Sequence, residues 1–153
     1  MNCLTFSFQN GGSILIRSIA SGNELINALL SAPGIATNVL PELRVVPLVV
    51  NQVLYELGDR VDYLYFPLDS VVFGLTLMED GMTIETSMAG PEGLVGIERF
   101  WGSRRARNWS WVTINGDSIQ LEPKVLEKLV VQNETALESL FWAYQALLNQ
   151  VAV

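Results

Sequence analysis

Short β-like runs follow one another at close spacing through most of the chain, and this pattern limits the folds that it can adopt. The runs cover residues 44–50, 52–55, 63–66, 71–78, 83–89, 109–114 and 118–121. Turn signals such as Gly58-Asp59 and Asp80-Gly81 lie between them. Many short strands separated by turns are typical of an antiparallel sandwich or roll and not of a parallel sheet. The pattern therefore predicts a mainly β domain, with a tight hairpin at Asp80-Gly81.

Helical patterns flank the strands. Asn23 is a predicted N-cap for residues 24–30, whose apolar side chains fall on one helical stripe, and Pro33-Gly34 ends the pattern. Pro123 suits the first turn of a helix over residues 124–131, because its missing N–H is tolerated there. Residues 1–22 have only short apolar runs broken by polar residues. They match neither a signal peptide nor a membrane span, and we interpret them as an irregular lead-in.

The last stretch, residues 135–153, has the pattern of a longer helix. Thr135 and Glu138 have capping-box spacing. Behind them, apolar residues alternate at three- and four-residue steps, as in the seam of a coiled coil. This seam consists of Leu137, Leu140, Tyr144, Leu147 and Val151. The sequence therefore predicts the start of a dimerisation helix and a homodimer. The alternative is a single amphipathic helix that packs only on its own domain.

Composition excludes several functions. The formal net charge of −7 makes the chain alone a poor partner for the phosphate backbone of DNA. The sequence contains no histidine and one cysteine, Cys3, so histidine-ligated metals, an internal disulfide and a four-cysteine iron–sulfur cluster are excluded. No serine-nucleophile motif, metal-ligand spacing or Walker-type loop points to an enzyme. We expect no metal, no cofactor and no membrane contact, and a lone thiol suits the cytoplasm.

The ordered motifs resemble a known family. They are residues 52–59 (QVLYELGD), 61–67 (VDYLYFP), 78–81 (MEDG) and 90–96 (GPEGLVG). Together they resemble the cyclic-nucleotide-binding-like effector domain of bacterial Crp/Fnr transcription regulators, and residues 144–151 resemble the start of that family's dimerisation helix. The resemblance extends from about residue 23 to the end of the chain.

This resemblance implies a fold and a function. The fold is a double-stranded β-helix, or jelly-roll β-roll, over residues 23–134 with flanking helices, followed by the dimer helix. Gly58 would lie in the turn between the second and third strands with a left-handed backbone. The function would be to sense an effector and to relay its state through the dimer helix to a DNA-binding domain that would begin after Val153.

The resemblance also implies a ligand pocket. A glycine-containing segment would surround a short helix whose backbone N–H groups attract an anion, and arginines would follow it. The candidate pocket residues are Gly90, Glu92, Gly93, Gly96, Glu98, Arg104, Arg105 and Arg107. A small anionic effector of unknown identity is the ligand that these residues suggest.

Two departures argue against a cyclic nucleotide as that effector. Family members that bind one place a glutamate directly after the glycine, whereas here Ile97 follows Gly96 and the carboxylate arrives at Glu98. The family's Arg-Ser-Ala or Arg-Thr-Ala string is also missing. The arginines then have a plainer interpretation as a solvated loop. Two alternatives to the regulator stay open: a free-standing dimeric binding or scaffold module with a degenerate pocket, and a working cyclic-AMP or cyclic-GMP domain.

Overall fold

The computed structural model describes residues 19–20, 22–31, 34–101 and 103–132, with Glu134 and Glu138 beyond them. The helices in this part are α1 (Glu24–Ser31), α2 (Ile35–Val39) and α3 (Pro123–Gln132), and two 3-10 turns occupy Leu40–Glu42 and Ile97–Trp101. The strands are β1 (Arg44–Leu48), β2 (Val53–Tyr55), β3 (Leu64–Pro67), β4 (Val71–Leu77), β5 (Thr83–Ala89), β6 (Trp109–Ile114) and β7 (Gly116–Leu121). The predicted mainly β architecture is confirmed.

The strands form two antiparallel sheets. One has the order β1-β7-β3 and the other has the order β2-β6-β4-β5. All of the strand pairings are antiparallel, from β1 with β7 to β4 with β5. Strands that are adjacent in the chain are often not adjacent in a sheet, so the chain crosses repeatedly between the two sheets and closes them into a roll.

The Asp80-Gly81 turn connects β4 to β5 as predicted. Gly81 has a φ of +83°, a conformation that costs glycine little. The turn closes with a 2.7 Å hydrogen bond from the Met78 N–H to the Met82 carbonyl. The Asp80 side chain accepts a 2.9 Å bond from the Met82 N–H. Gly58 likewise has a φ of +89° in the turn between β2 and β3, as expected.

An apolar cluster lies between the helices and the three-stranded sheet. Alternate residues of β3, Leu64 and Phe66, are fully buried in it with Ile119 of β7. Helix α1 contributes its stripe of Leu25, Ile26, Leu29 and Leu30. Fully burying one such side chain stabilises a fold by roughly 1.5–3 kcal/mol, so this cluster fixes the helices on the outside of the roll.

A second apolar cluster fills the space between the two sheets. Its buried members are Leu48, Tyr55, Val61, Val72, Ala89, Val95, Ala106 and Val112. Among the described residues, the buried polar side chains are Asn23, Ser70 and Ser118, and no charged side chain is buried. The interior of the roll therefore offers apolar contacts and no charge to a ligand.

Helix α2 was not predicted; it begins after Gly34, whose φ is +78°, and buries Ile35 and Val39. The seam of the predicted dimerisation helix lies outside the described residues, as do residues 1–18. Ile19 and Ala20 are helical, and Ala20 is fully buried in the first cluster. No helix in the described ranges has the length and apolarity needed to cross a bilayer.

Candidate ligand-binding site

The glycine-rich segment, residues 90–96, begins with a tight turn that packs against the start of α1. The Gly93 N–H donates a 3.1 Å hydrogen bond to the Gly90 carbonyl. The Glu24 N–H donates one of 2.6 Å to the Pro91 carbonyl. Asn23 donates through its side-chain amide to the Gly93 carbonyl at 2.9 Å. This half of the glycine-rich segment is therefore held by the helix cap of α1.

One predicted ligand donor is already engaged. The Gly90 N–H donates a 3.1 Å hydrogen bond to the Glu92 carboxylate. A backbone N–H that faces a carboxylate of its own chain does not attract a second anion, because the negative charge of Glu92 repels it. Glu92 therefore occupies this donor and adds no cationic character to the glycine-rich segment.

The second half of the glycine-rich segment leads into the short 3-10 helix. Val95 and Tyr65 exchange two backbone hydrogen bonds of 2.8 and 3.1 Å, which hold the segment against β3. Gly96 follows with a φ of +99°. The 3-10 helix then begins at Ile97. Gly90, Gly93 and Gly96 thus all precede the short helix, whereas the resemblance implied that they surround it.

The residue after Gly96 is an apolar core residue. Ile97 is 8% exposed and belongs to the cluster under the helices. Glu98, one place later, is half-buried. The one-residue displacement of the carboxylate seen in the sequence therefore places a buried aliphatic side chain at the position where the resemblance implied a glutamate.

Backbone hydrogen bonds hold the arginine-containing loop against residues 58–61. The Gly58 N–H donates a 2.9 Å hydrogen bond to the Ala106 carbonyl, and the Ala106 N–H donates one of 2.7 Å to the Asp59 carbonyl. The Val61 N–H donates to the Arg104 carbonyl at 2.9 Å. The side chains of Arg104, Arg105 and Arg107 are exposed. Because Ala106 alone points inward, the loop presents its charges away from the roll interior.

The three arginines do not converge on one point. Arg105 donates through Nη1 to the Gly58 carbonyl at 2.8 Å. Arg107 lies in the turn before β6, and its side chain is exposed. Arg104 lines a cavity on the outside of the roll. Of the eight candidate residues, Arg104 alone lines that cavity, and which of the eight contact an effector stays a prediction.

The cavity beside Arg104 has a volume of about 440 Å³. We call it the basic cavity because four cationic side chains line it. Its lining consists of Arg60, Val61, Asp62, Tyr63, Arg99, Arg104, Glu122, Pro123 and Lys124. Only Arg104 among these was predicted from the sequence to be a ligand-pocket residue. Four separate chain segments contribute the lining, and no local motif joins them, so the sequence held no signal for the other three cations.

An ion pair connects the 3-10 helix to α3 at the edge of the basic cavity. The Arg99 Nε lies 3.2 Å from Glu127 Oε1, and the two side chains are 14% and 35% exposed. Partial burial strengthens such a pair relative to one in full solvent. The chain segment after the glycine-rich segment is therefore linked directly to the helix that leads toward residues 135–153.

Tyr55 joins the interior of the roll to the segment before β3, which borders the basic cavity. Its hydroxyl donates to the Tyr63 carbonyl at 2.6 Å and accepts from the Tyr63 N–H at 3.0 Å. Burial raises the pKa of the Tyr55 hydroxyl well above its usual range, against the lowering effect of the bond with Tyr63. The neutral phenol therefore persists at physiological pH as a structural hydrogen-bonding group.

Metal binding finds no support in the described part of the chain. No group of three or more histidine, cysteine, aspartate or glutamate residues there has the arrangement needed to hold a metal ion. The arginine and lysine side chains of the region can bind anions.

Comparison with known proteins gives matches among solved structures. No family model and no curated protein matches the chain. The sensor domain of the transcriptional regulator DNR from Pseudomonas aeruginosa is similar with a TM-score of 0.69 and 11% identity, over 90% of this chain and 91% of that one. The N-terminal domain of a transcriptional regulator from Streptomyces coelicolor A3(2) has a TM-score of 0.60 and 18% identity, over 89% and 91% of the two chains.

A eukaryotic domain is similar as well. The regulatory domain of Toxoplasma gondii PKA, solved with cAMP, has a TM-score of 0.64 and 15% identity, and 80% of this chain is covered. This chain spans 46% of the Toxoplasma chain. The fold is therefore the cyclic-nucleotide-binding-like fold of Crp/Fnr-type regulators and cAMP-binding domains, which confirms the predicted fold family.

Proposed function

We propose that this chain is the effector-sensing domain of a Crp/Fnr-type transcription regulator and has no catalytic activity. The observation that carries the proposal is the similarity of 90% of the chain to a sensor domain of such a regulator. The sequence motifs at residues 52–59 and 90–96 support it independently of the fold. A regulator of this kind acts in the bacterial cytoplasm, where Cys3 would stay reduced.

The relay would run from the segment after β5 to the dimer helix. The Arg99–Glu127 ion pair ties the 3-10 helix to α3, and α3 ends at Gln132, shortly before residues 135–153. An effector that favours one position of the 3-10 helix would shift α3 and change the population of two dimer arrangements. A DNA-binding domain after Val153 would read that change.

The homodimer is tested by replacing seam residues. Leu140→Glu or Leu147→Glu would place an unpaired charge in the proposed interface, at a cost of several kcal/mol to the dimer. Asn149→Glu is the matched control, because helical periodicity places residue 149 on the opposite face of the proposed helix. We expect sedimentation equilibrium to give a dimer for the parent and the control and a folded monomer for the seam variants. A parent chain that stays monomeric at high concentration contradicts the dimer.

DNA contact is assigned to the following domain and not to this chain. A net charge of −7 opposes binding to a phosphate backbone. We expect no shift of duplex DNA by this chain alone in a mobility assay at micromolar protein. A helix-turn-helix encoded directly after Val153 in the reading frame would support the regulator, and salt-sensitive DNA binding by the isolated chain would argue against this division of roles.

A further inference from the structure

We propose that the basic cavity is a binding site for a small polyanion, a metabolite that carries phosphate or several carboxylate groups. The site differs from the glycine-rich segment, because none of residues 90–96 lines the cavity. Its existence does not depend on the effector role proposed for that segment.

The charge of the basic cavity is opposite to that of the chain. Four of the nine lysine and arginine residues of the sequence line it, namely Arg60, Arg99, Arg104 and Lys124. They face two lining carboxylates, Asp62 and Glu122. The whole chain carries a net charge of −7. A concave cationic surface focuses the electrostatic field and attracts anions, even on an acidic protein.

Two of the four cations have no carboxylate partner in the described part of the chain. Arg60 pairs with Asp62 at 2.6 Å, and Arg99 pairs with Glu127 at 3.2 Å. Neither Arg104 nor Lys124 forms an ion pair with a described residue. Their charges are therefore the ones that a ligand would meet without first displacing an internal partner.

Backbone hydrogen bonds anchor the chain segments that carry Arg104 and Lys124. The Arg104 carbonyl accepts a 2.9 Å hydrogen bond from the Val61 N–H, which fixes the loop against the strand connection beside it. Lys124 lies in the first turn of α3, a helix of ten residues that begins at Pro123. The positive end of the helix dipole adds to the lysine charge at that point. Two cations on separate, anchored segments match two anionic groups of one ligand.

The volume of the basic cavity sets the size of the ligand. About 440 Å³ falls within the roughly 300–1,000 Å³ of small-molecule sites, and it exceeds what a single inorganic ion fills. An arginine binds a phosphate or carboxylate through two parallel hydrogen bonds, whereas a lysine acts as a point charge. The geometry thus favours a ligand with at least two separated negative groups.

Isothermal titration of the full chain with inorganic pyrophosphate tests the site. We expect one saturable site per chain with a dissociation constant below about 1 mM at low salt. Arg104→Gln and Lys124→Gln should each weaken binding at least about tenfold, because each removes a charge-assisted hydrogen bond. Inorganic phosphate, which carries a single anionic group, should bind at least about tenfold more weakly than pyrophosphate.

Matched variants separate the site from general attraction of charge. Arg44→Gln removes an exposed arginine charge from β1, and Lys128→Gln removes a lysine charge from the same helix as Lys124, yet neither residue lines the cavity. All four side chains are exposed, so the variants should fold normally. We expect the two control variants to change binding less than about threefold. Absence of saturable binding, or equal losses in control and cavity variants, overturns the proposal.

Discussion

The side-chain amide of Asn23 donates a 2.9 Å hydrogen bond to the carbonyl oxygen of Gly93. The same amide donates to the Pro67 carbonyl at 2.8 Å, and its oxygen accepts from the N–H groups of Leu25 and Ile26, each at 3.0 Å. Asn23 itself is fully buried. One side chain thus caps α1 and bonds to both the last residue of β3 and the glycine-rich segment. It therefore links the helices to the region where an effector is proposed.

Replacement of Asn23 by alanine should destabilise the fold by about 2–4 kcal/mol. Loss of an N-cap costs about 1 kcal/mol, and loss of the two hydrogen bonds to buried carbonyls adds about 0.5–1.5 kcal/mol each. Urea denaturation measures the change. Asn38→Ala is the control, since Asn38 makes a single exposed bond of 3.2 Å to the Gly34 carbonyl and should cost less than about 1 kcal/mol. Equal losses in the two variants would contradict the linking role.

Replacement of Gly96 by alanine should destabilise the fold more than replacement of Gly81. Both glycines have a positive φ, +99° and +83°, which costs an alanine about 1 kcal/mol or more. A Cβ at Gly96 would lie 3.1 Å from atoms of Leu64, Tyr63 and Val61, whereas nothing lies within 4 Å of one at Gly81. We expect about 2–4 kcal/mol for Gly96→Ala and about 1 kcal/mol for Gly81→Ala in urea denaturation.

The contrast between these glycines shows what sequence patterns reveal. Asp80-Gly81 was predicted because a tight hairpin requires local chemistry that neighbouring residues display. The α1 helix was predicted for the same reason, from its cap and its apolar stripe. Helix α2 was missed because its five residues, IATNV, are too few to show a helical period and include β-branched side chains. Burial of Ile35 and Val39 against the core stabilises it, and that contact is tertiary.

The candidate site was less predictable than the fold. The sequence revealed the arginine cluster of Arg104, Arg105 and Arg107, because these residues are neighbours along the chain. It also showed that no glutamate follows Gly96 directly. It did not reveal that Ala106 is the buried residue of this loop, because the orientation of the loop depends on its pairing with residues 58–61. Nor did it bring Lys124 near Arg104, since twenty residues and two strands separate them. Long-range pairing sets both features.

Stability should decline above about pH 10 through Tyr55. Burial raises the pKa of its hydroxyl above the 10.0 of an unperturbed tyrosine, so the folded state favours the neutral phenol. This contribution is fully present below pH 10 and is lost as pH rises toward the folded-state pKa, by at most about 1.4 kcal/mol per pH unit. Burial also raises the pKa of Tyr65, which adds to the decline.

The variant Tyr55→Phe separates the contributions of Tyr55 and Tyr65 to the loss of stability at alkaline pH. The variant loses both hydrogen bonds with Tyr63 and should be about 1–3 kcal/mol less stable at pH 7. Above pH 10 its stability should fall less steeply than that of the parent, with the remaining slope due to Tyr65. Urea denaturation at pH 7, 9.5 and 10.5 measures both effects. An alkaline slope identical to that of the parent would show that Tyr55 does not titrate in the folding equilibrium.

Cyclic AMP and cyclic GMP should show no saturable binding below about 100 µM. The position after Gly96 holds Ile97, which is 8% exposed, and the described interior of the roll has no buried charge. The Gly90 N–H is already bonded to Glu92. Each missing charge-assisted hydrogen bond costs about 1.5–3 kcal/mol, so loss of two anchors would weaken a micromolar ligand roughly a hundredfold or more.

Isothermal titration of both nucleotides into the full chain tests this prediction. Arginine variants then identify the site that produces any heat of binding. A cyclic nucleotide carries one negative charge, so weak binding in the basic cavity is the main competing source. Heat with a dissociation constant above about 100 µM that Arg104→Gln abolishes and Arg107→Gln leaves unchanged would come from the basic cavity, and the prediction would stand. A micromolar isotherm of one nucleotide per chain that Arg105→Ala or Arg107→Ala abolishes would contradict it. Such a result would mean that the loop turns an arginine toward the glycine-rich segment when ligand is present.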